Sequence, residues 1–141
     1  MFKYINLSNK VMIVFTDGGA RGNPGPAAIG VVIFDDNEKF LTDYKERIGK
    51  STNNQAEYKA IIKALELVDD TGVVNVFSDS QLVVRQLNGV YKVKKVELKP
   101  LFDRVKELEK GFKTVVFSHV PRSNHGIVLA DRLVNAALDG L

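Results

Sequence analysis

The chain has 141 residues, 45% of them apolar and 26% charged, and no cysteine. That length fits one domain that buries its own core. The absence of thiols excludes a disulfide scaffold, a thiolate nucleophile and a Cys-ligated zinc or iron–sulfur site, and it favours a reducing, cytoplasmic setting. The net charge of +3 is unevenly placed: residues 1–84 carry 9 basic and 11 acidic side chains, residues 85–141 carry 11 and 6. A basic second half suits a polyanionic partner such as nucleic acid, although a solvated surface has the same composition.

No apolar run approaches the ~18 residues of a membrane span. The amino-terminal MFKYINLSNK lacks an apolar signal-peptide core, so the sequon Asn6-Leu7-Ser8 reads as chance. Val11–Phe15 is a β-branched run that ends at Thr16-Asp17. The following GGARGNPGPA is dense in Gly and Pro and reads as a turn. Ala28–Phe34 and Phe40–Ile48 read as two further strands around a turn at Asp35-Asp36-Asn37, which makes an antiparallel meander.

The period then changes. Apolar residues at 61, 64, 65 and 68 predict a helix over 53–68 with Thr52 as its N-cap. Val73–Phe77 is a short strand. Ser80–Leu87 is a short helix closed by Asn88-Gly89. An apolar stripe from Leu98 to Phe112 predicts another helix, Thr114–Phe117 a fifth strand, and Gly126–Leu138 a last helix. The order is βββαβααβα. Sequential strands followed by strands alternating with helices imply an α/β fold with a mixed sheet covered by helices. There is no linker or repeat, so residues 1–141 read as a single domain.

Four acids break the pattern of solvated charge. Asp17 and Asp79 each end an apolar strand. Glu57 and Asp131 fall on the inward stripes of their helices. Acids are rarely buried without a partner. A salt bridge or a cap accounts for any one of them, and Asp79 alone could start the next helix. No Lys or Arg occupies inward positions that would pair all four. Sites in α/β sheets form at the carboxyl ends of strands. Carboxylates converging there without His or Cys select hard cations such as Mg²⁺ or Mn²⁺, and such clusters can hold two ions ~3.5–4 Å apart, a geometry that serves phosphoryl chemistry.

The Gly-rich segment is neither a P-loop nor a dinucleotide fingerprint, because a strand follows it instead of a helix. It is either a tight turn or a place where a bulky ligand approaches backbone beside Asp17. Thr52-Asn53-Asn54, at a helix start, exceeds what capping needs and leans toward phosphate contact.

Together these segments spell a family. FTDGGARGNPGPAA, TNNQAEYKAIIKAL, FSDSQLVVRQLNG and ADRLVNAAL occur in order along nearly the whole chain, and the sequence resembles type 1 ribonuclease H. The resemblance implies a ribonuclease H-like fold: a five-stranded mixed sheet, its first three strands antiparallel, with helices on both faces. It implies catalytic, metal-binding Asp17, Glu57, Asp79 and Asp131 around two Mg²⁺ or Mn²⁺ ions. The expected activity is hydrolysis of the RNA strand of an RNA/DNA hybrid, leaving 5′-phosphate and 3′-hydroxyl ends. By the same resemblance Asn23, Asn53 and Asn54 contact the hybrid minor groove and Thr52 a DNA-strand phosphate. Basic Lys92 and Lys94 are expected to grip phosphate.

There are departures. Gly19 stands where many relatives have Ser. The stretch from Leu87 to Pro100 is too short for the extra basic helix some relatives carry. His125, six residues before Asp131, matches a His of variable position that helps product or proton release, and is otherwise a surface residue. His119, at a strand end, reads as structural. The chain looks like a bare catalytic domain, acting as a monomer with no membrane partner. The rival readings are a nuclease of the same fold that cuts double-stranded RNA, and a non-catalytic nucleic-acid-binding module. The presence of all four acids disfavours the second.

Overall fold

The structure is a computed structural model that describes residues 10–68 and 72–141. The amino-terminal segment with its Asn6-Leu7-Ser8 sequon lies outside the described residues. The described elements are β1 (Val11–Ala20), β2 (Gly25–Asp35), β3 (Phe40–Ser51), α1 (Asn53–Leu67), β4 (Val73–Ser78), α2 (Gln81–Leu87), α3 (Lys99–Glu109), β5 (Thr114–His119) and α4 (His125–Leu138). They form one sheet of order β3-β2-β1-β4-β5. The first three strands pair antiparallel, and β4 and β5 add in parallel. This is the expected five-stranded mixed sheet in the expected order of elements.

Helices cover both faces. On one, α1 lies across β1 and β2 and carries α3 against it. The main core forms there from alternate strand residues, Val14, Val31, Val74 and Val76, and from Tyr58, Ile61, Leu65 and Val105. On the other face α4 packs against β1, β2 and β3, with Val134 and Ala137 on Ala28. The side-chain period of two in β1 decides which layer each residue meets. A Cβ on Gly18 would point into α1, and one on Gly19 toward Val134 of α4.

One expectation is corrected. The segment GGARGNPGPA is not a turn throughout, because Gly18, Gly19 and Ala20 continue β1, paired with Ile29, Ala28 and Ala27. The turn is confined to residues 21–24. Gly18 provides closeness to a helix rather than chain reversal. A Cβ at Gly18 would lie 2.3 Å from the carbonyl carbon and oxygen of Ala56. The remaining boundaries move by only a few residues. Ser80 caps α2 instead of belonging to it, and Gly89 follows that helix at φ +76°, the left-handed position glycine favours.

Candidate active site

Strand register brings the first two acids together. Phe15 pairs with Phe77 on the last parallel rung between β1 and β4. Asp17 and Asp79 each lie two residues further on, so they stand side by side where the two strands diverge. Asp79 is not a cap: Ser80 is the N-cap of α2, and its hydroxyl accepts from the Val83 N–H.

Glu57 reaches the same point from α1. That helix begins at a capping box in which Thr52 and Gln55 satisfy one another's backbone N–H groups. The close approach permitted by Gly18 lets its N–H donate to Glu57 Oε1 at 2.7 Å. Among the described residues, Asp17, Glu57 and Asp79 offer carboxylate oxygens that all lie within 4.8 Å of one another. Asp17 and Glu57 are buried and Asp79 is partly so.

Asp131 arrives from α4, across the sheet. It lines the same cavity of about 380 Å³ and comes within hydrogen-bonding reach of Asp17. It is exposed, however, not inward as its helical pattern suggested. The buried stripe of α4 is Ile127, Ala130, Val134 and Ala137. Position 131 sits at the edge of that stripe, which leaves the carboxylate on the cavity rim.

Crowding of like charge in a buried place holds protons on. The Asp17 carboxyl is pushed up to about 8 from 3.8, first by burial and then by the charges of Asp79 and Asp131, with Arg122 opposing. Glu57 is raised well above its usual range by burial and by Asp17 and Asp79, against the Gly18 N–H. Among the described residues, Arg122 is the basic group paired to this cluster, its Nε 3.6 Å from Asp79 Oδ2, and its side chain is 91% exposed. A solvent-screened cation of this kind offsets little. Three all-oxygen donors that repel each other fit a hard divalent cation.

Beside the acids lies a second cavity of about 340 Å³, lined by Asn23, Thr52, Asn53, Asn54 and Lys95 among others. Asn53 and Asn54 line both cavities. Asn53 is also structural: its Oδ1 accepts from Ala20 N–H at 2.9 Å, and its N–H donates to Asn23 Oδ1 at 2.9 Å. The polar residues named from the sequence therefore come together. Lys92 and Lys94 are exposed on the segment before α3 and do not line the cavity, and the lysine that does is Lys95. His125 is the first residue of α4 and lines a different, apolar cavity with Phe15, Phe34 and Phe77. His119 is exposed at the end of β5.

Comparison with known proteins agrees with this geometry. A family profile described as reverse transcriptase-like matches residues 15–137. Ribonuclease HI of Halobacterium salinarum is 42% identical over 127 residues, 89% of this chain. The crystal structure of RNase H1 from that archaeon superposes with a TM-score of 0.88 at 40% identity, covering 93% of this chain and 99% of that one. LC11-RNase H1, solved in complex with an RNA/DNA hybrid, gives 0.84 at 46% identity, covering 92% and 97%. The chain belongs to the type 1 ribonuclease H family. It spans 63% of the length of the Halobacterium protein and 35% of a bifunctional protein of Mycobacterium tuberculosis, also similar to it.

Within this ribonuclease H fold, sequence reasoning misses four residues that line the two cavities. Arg122 pairs with Asp79 from a loop 43 residues away. Lys95 stands out in the sequence only as part of a basic run. Arg21 and Asn135 line the acidic cavity and bond to each other from opposite ends of the chain. No local pattern announces any of them, because each depends on which strands and helices become neighbours. Among the described residues no helix is long and apolar enough to cross a membrane.

Proposed function

We propose that this chain is an endoribonuclease that hydrolyses the RNA strand of an RNA/DNA hybrid with Mg²⁺ or Mn²⁺, two ions per site. The observation that carries the reading is the convergence of Asp17, Glu57 and Asp79 within 4.8 Å, with Asp131 on the rim. These four would hold the cations. Bound there, divalent ions would lower the pKa of an attacking water and neutralise the 3′-oxygen that leaves, giving 5′-phosphate and 3′-hydroxyl ends.

The protein's own groups perform the rest. Gly18 N–H fixes one oxygen of Glu57. Asn23, Asn53 and Asn54, beside the acids, present polar side chains to a minor groove, where 2′-hydroxyls mark RNA. Thr52 and Lys95, in the same cavity, suit a phosphate of the other strand. Lys92 and Lys94 extend that grip from the exposed segment. His125, exposed ahead of Asp131 but in a different cavity, is assigned to product release rather than to chemistry. We take the unit to be one catalytic domain, monomeric and cytoplasmic.

The test is a gel assay on labelled RNA/DNA hybrid, double-stranded RNA and DNA duplex, with Mg²⁺ or Mn²⁺ and then with chelator. Metal-dependent cutting of the hybrid RNA strand, with DNA duplex spared, is expected. Equal cutting of DNA duplex removes the specificity, preferential cutting of double-stranded RNA favours the related nuclease, and binding without cutting favours a non-catalytic module.

A further inference from the structure

Asp131 differs from the other three acids. It is exposed, it comes from the opposite layer, and burial does not hold its carboxylate in place. Among the described residues, its carboxylate has one hydrogen-bond donor from outside the acid cluster. Asn135 Nδ2, one helical turn on, donates to Asp131 Oδ2 at 3.3 Å and to the Asp131 carbonyl at 3.1 Å. The amide can face that way only if its oxygen is turned elsewhere. That oxygen accepts from Arg21 Nη2 at 3.4 Å. Arg21 is itself tied to the end of α4, its Nη1 2.6 Å from Asp139 Oδ1.

We propose that Arg21 and Asn135 form a positioning relay for Asp131. Arg21 selects the amide orientation in which Asn135 donates to the carboxylate, and the carboxylate is thereby aimed into the cavity it lines. The proposal rests on the reading of Asp131 as a metal-binding acid. The Arg21–Asp139 pair is half exposed at both ends. Pairs of that kind contribute little to folding, so the relay acts through orientation and its loss should barely move stability. Arg21 joins the turn after β1 to α4, and thus couples the strand that bears Asp17 to the helix that bears Asp131.

The experiment is a calorimetric Mg²⁺ titration of the parent, Asn135→Ala, Arg21→Ala, Asp131→Asn and the Asn135→Ala/Asp131→Asn double variant, with metal-free melts of each. Asn135→Ala should weaken Mg²⁺ binding about tenfold, equivalent to ~1.4 kcal/mol, and Arg21→Ala should act in the same direction. The metal-free melting temperatures of Asn135→Ala and Arg21→Ala should stay with the parent. The double variant should bind Mg²⁺ no more weakly than Asp131→Asn alone, because the relay acts only through that carboxylate. Asn135→Gln, which keeps the amide, should recover part of the loss, and Asn135→Asp should recover none. Additive losses in the double variant, or unchanged Mg²⁺ binding in Asn135→Ala, overturn the relay. On hybrid, Asn135→Ala should lower kcat and leave KM in place, and a raised KM with unchanged kcat makes Asn135 a substrate contact instead. A parent that binds Mg²⁺ yet does not cleave hybrid refutes the proposed function, and the titrations still decide the relay.

Discussion

The Gly18 N–H donates to Glu57 Oε1 at 2.7 Å across a strand–helix contact with no space for a side chain at residue 18. A Cβ there would also lie 2.6 Å from the Glu57 backbone nitrogen. Those neighbours are backbone atoms and cannot rotate away. Gly18→Ala should therefore destabilise by about 3 kcal/mol, the upper end of overpacking costs, and should lower cleavage by moving Glu57. Gly19→Ala is the control, since its Cβ would meet only Val134 Cγ1 at 3.7 Å. Denaturant melts of both variants check the contrast, and equal stability of the two would show that α1 can shift freely.

The acids should make the metal-free protein less stable as pH rises. The Asp17 carboxyl is held at about 8, above its ordinary 3.8, chiefly by burial and then by Asp79 and Asp131. Between those two values the unfolded chain has released a proton that the folded chain retains. The folded state thus binds more protons, and the contribution of Asp17 to stability falls from about pH 4 to about pH 8, with Glu57 acting in the same direction. Asp79→Asn removes one charge that raises both Asp17 and Glu57. It should abolish cleavage yet leave the metal-free protein as stable as the parent at pH 7, or more stable by on the order of 1 kcal/mol. The difference should shrink at pH 4. Removing the Arg122 ion pair does not reverse the sign, because a pair this exposed is weak. Thermal melts at both pH values decide it, and a clearly less stable Asp79→Asn at pH 7 contradicts charge crowding.

Cation binding should displace that proton. Mg²⁺ ought to raise the melting temperature of the parent, by the equivalent of ~2.7 kcal/mol at a hundredfold excess over Kd, and chelator should abolish the rise. Because Asp17 must ionise, Mg²⁺-dependent cleavage should climb through neutral pH, and its midpoint should move down as Mg²⁺ concentration increases. Asp17→Asn should lose both the melting shift and the activity. A pH profile flat from 6 to 9 at low Mg²⁺ would count against a protonated Asp17.

Among the lysines, position decides. Lys95→Ala should raise KM for hybrid more than Lys92→Ala or Lys94→Ala, because only Lys95 lines the cavity with Thr52 and Asn53. Every lysine–phosphate interaction removed should reduce the log–log salt slope by roughly 0.7–0.9. All three variants should keep kcat. A collapse of kcat in Lys95→Ala would put that residue in the chemistry.

His125→Ala should slow multiple turnover severalfold and leave the Mg²⁺ melting shift and the single-turnover rate unchanged. The imidazole lines an apolar cavity and not the acidic one. Unchanged multiple-turnover rates would leave His125 as a surface residue at a helix start.

Much of this architecture is legible in the residues. The element order follows from the switch between periods of two and 3.6, and the Thr52 cap and the end of α2 at Asn88-Gly89 follow from local chemistry. Asp17, Glu57 and Asp79 stand out because an acid inside an apolar run needs a reason. The same logic finds Asp131 but misplaces it, since a helical pattern cannot separate the edge of a stripe from its centre. The extension of β1 through Gly18 and Gly19 is hidden, because a glycine needed for helix contact and one needed for a turn are written with the same letter. Arg122 beside Asp79, and Arg21 beside Asn135, are out of reach: those pairings exist only once strand register and layer packing are set.

Glu57 and Asp131 belong to helices on opposite sides of the sheet, and they line one cavity beside Asp17 of β1. A chain in which either layer has yet to dock holds at most part of the acid set. Because α4 follows all five described strands along the chain, a nascent polypeptide adds Asp131 after those strands have been made. The four-acid cluster thus assembles only once both helical layers have docked on the sheet.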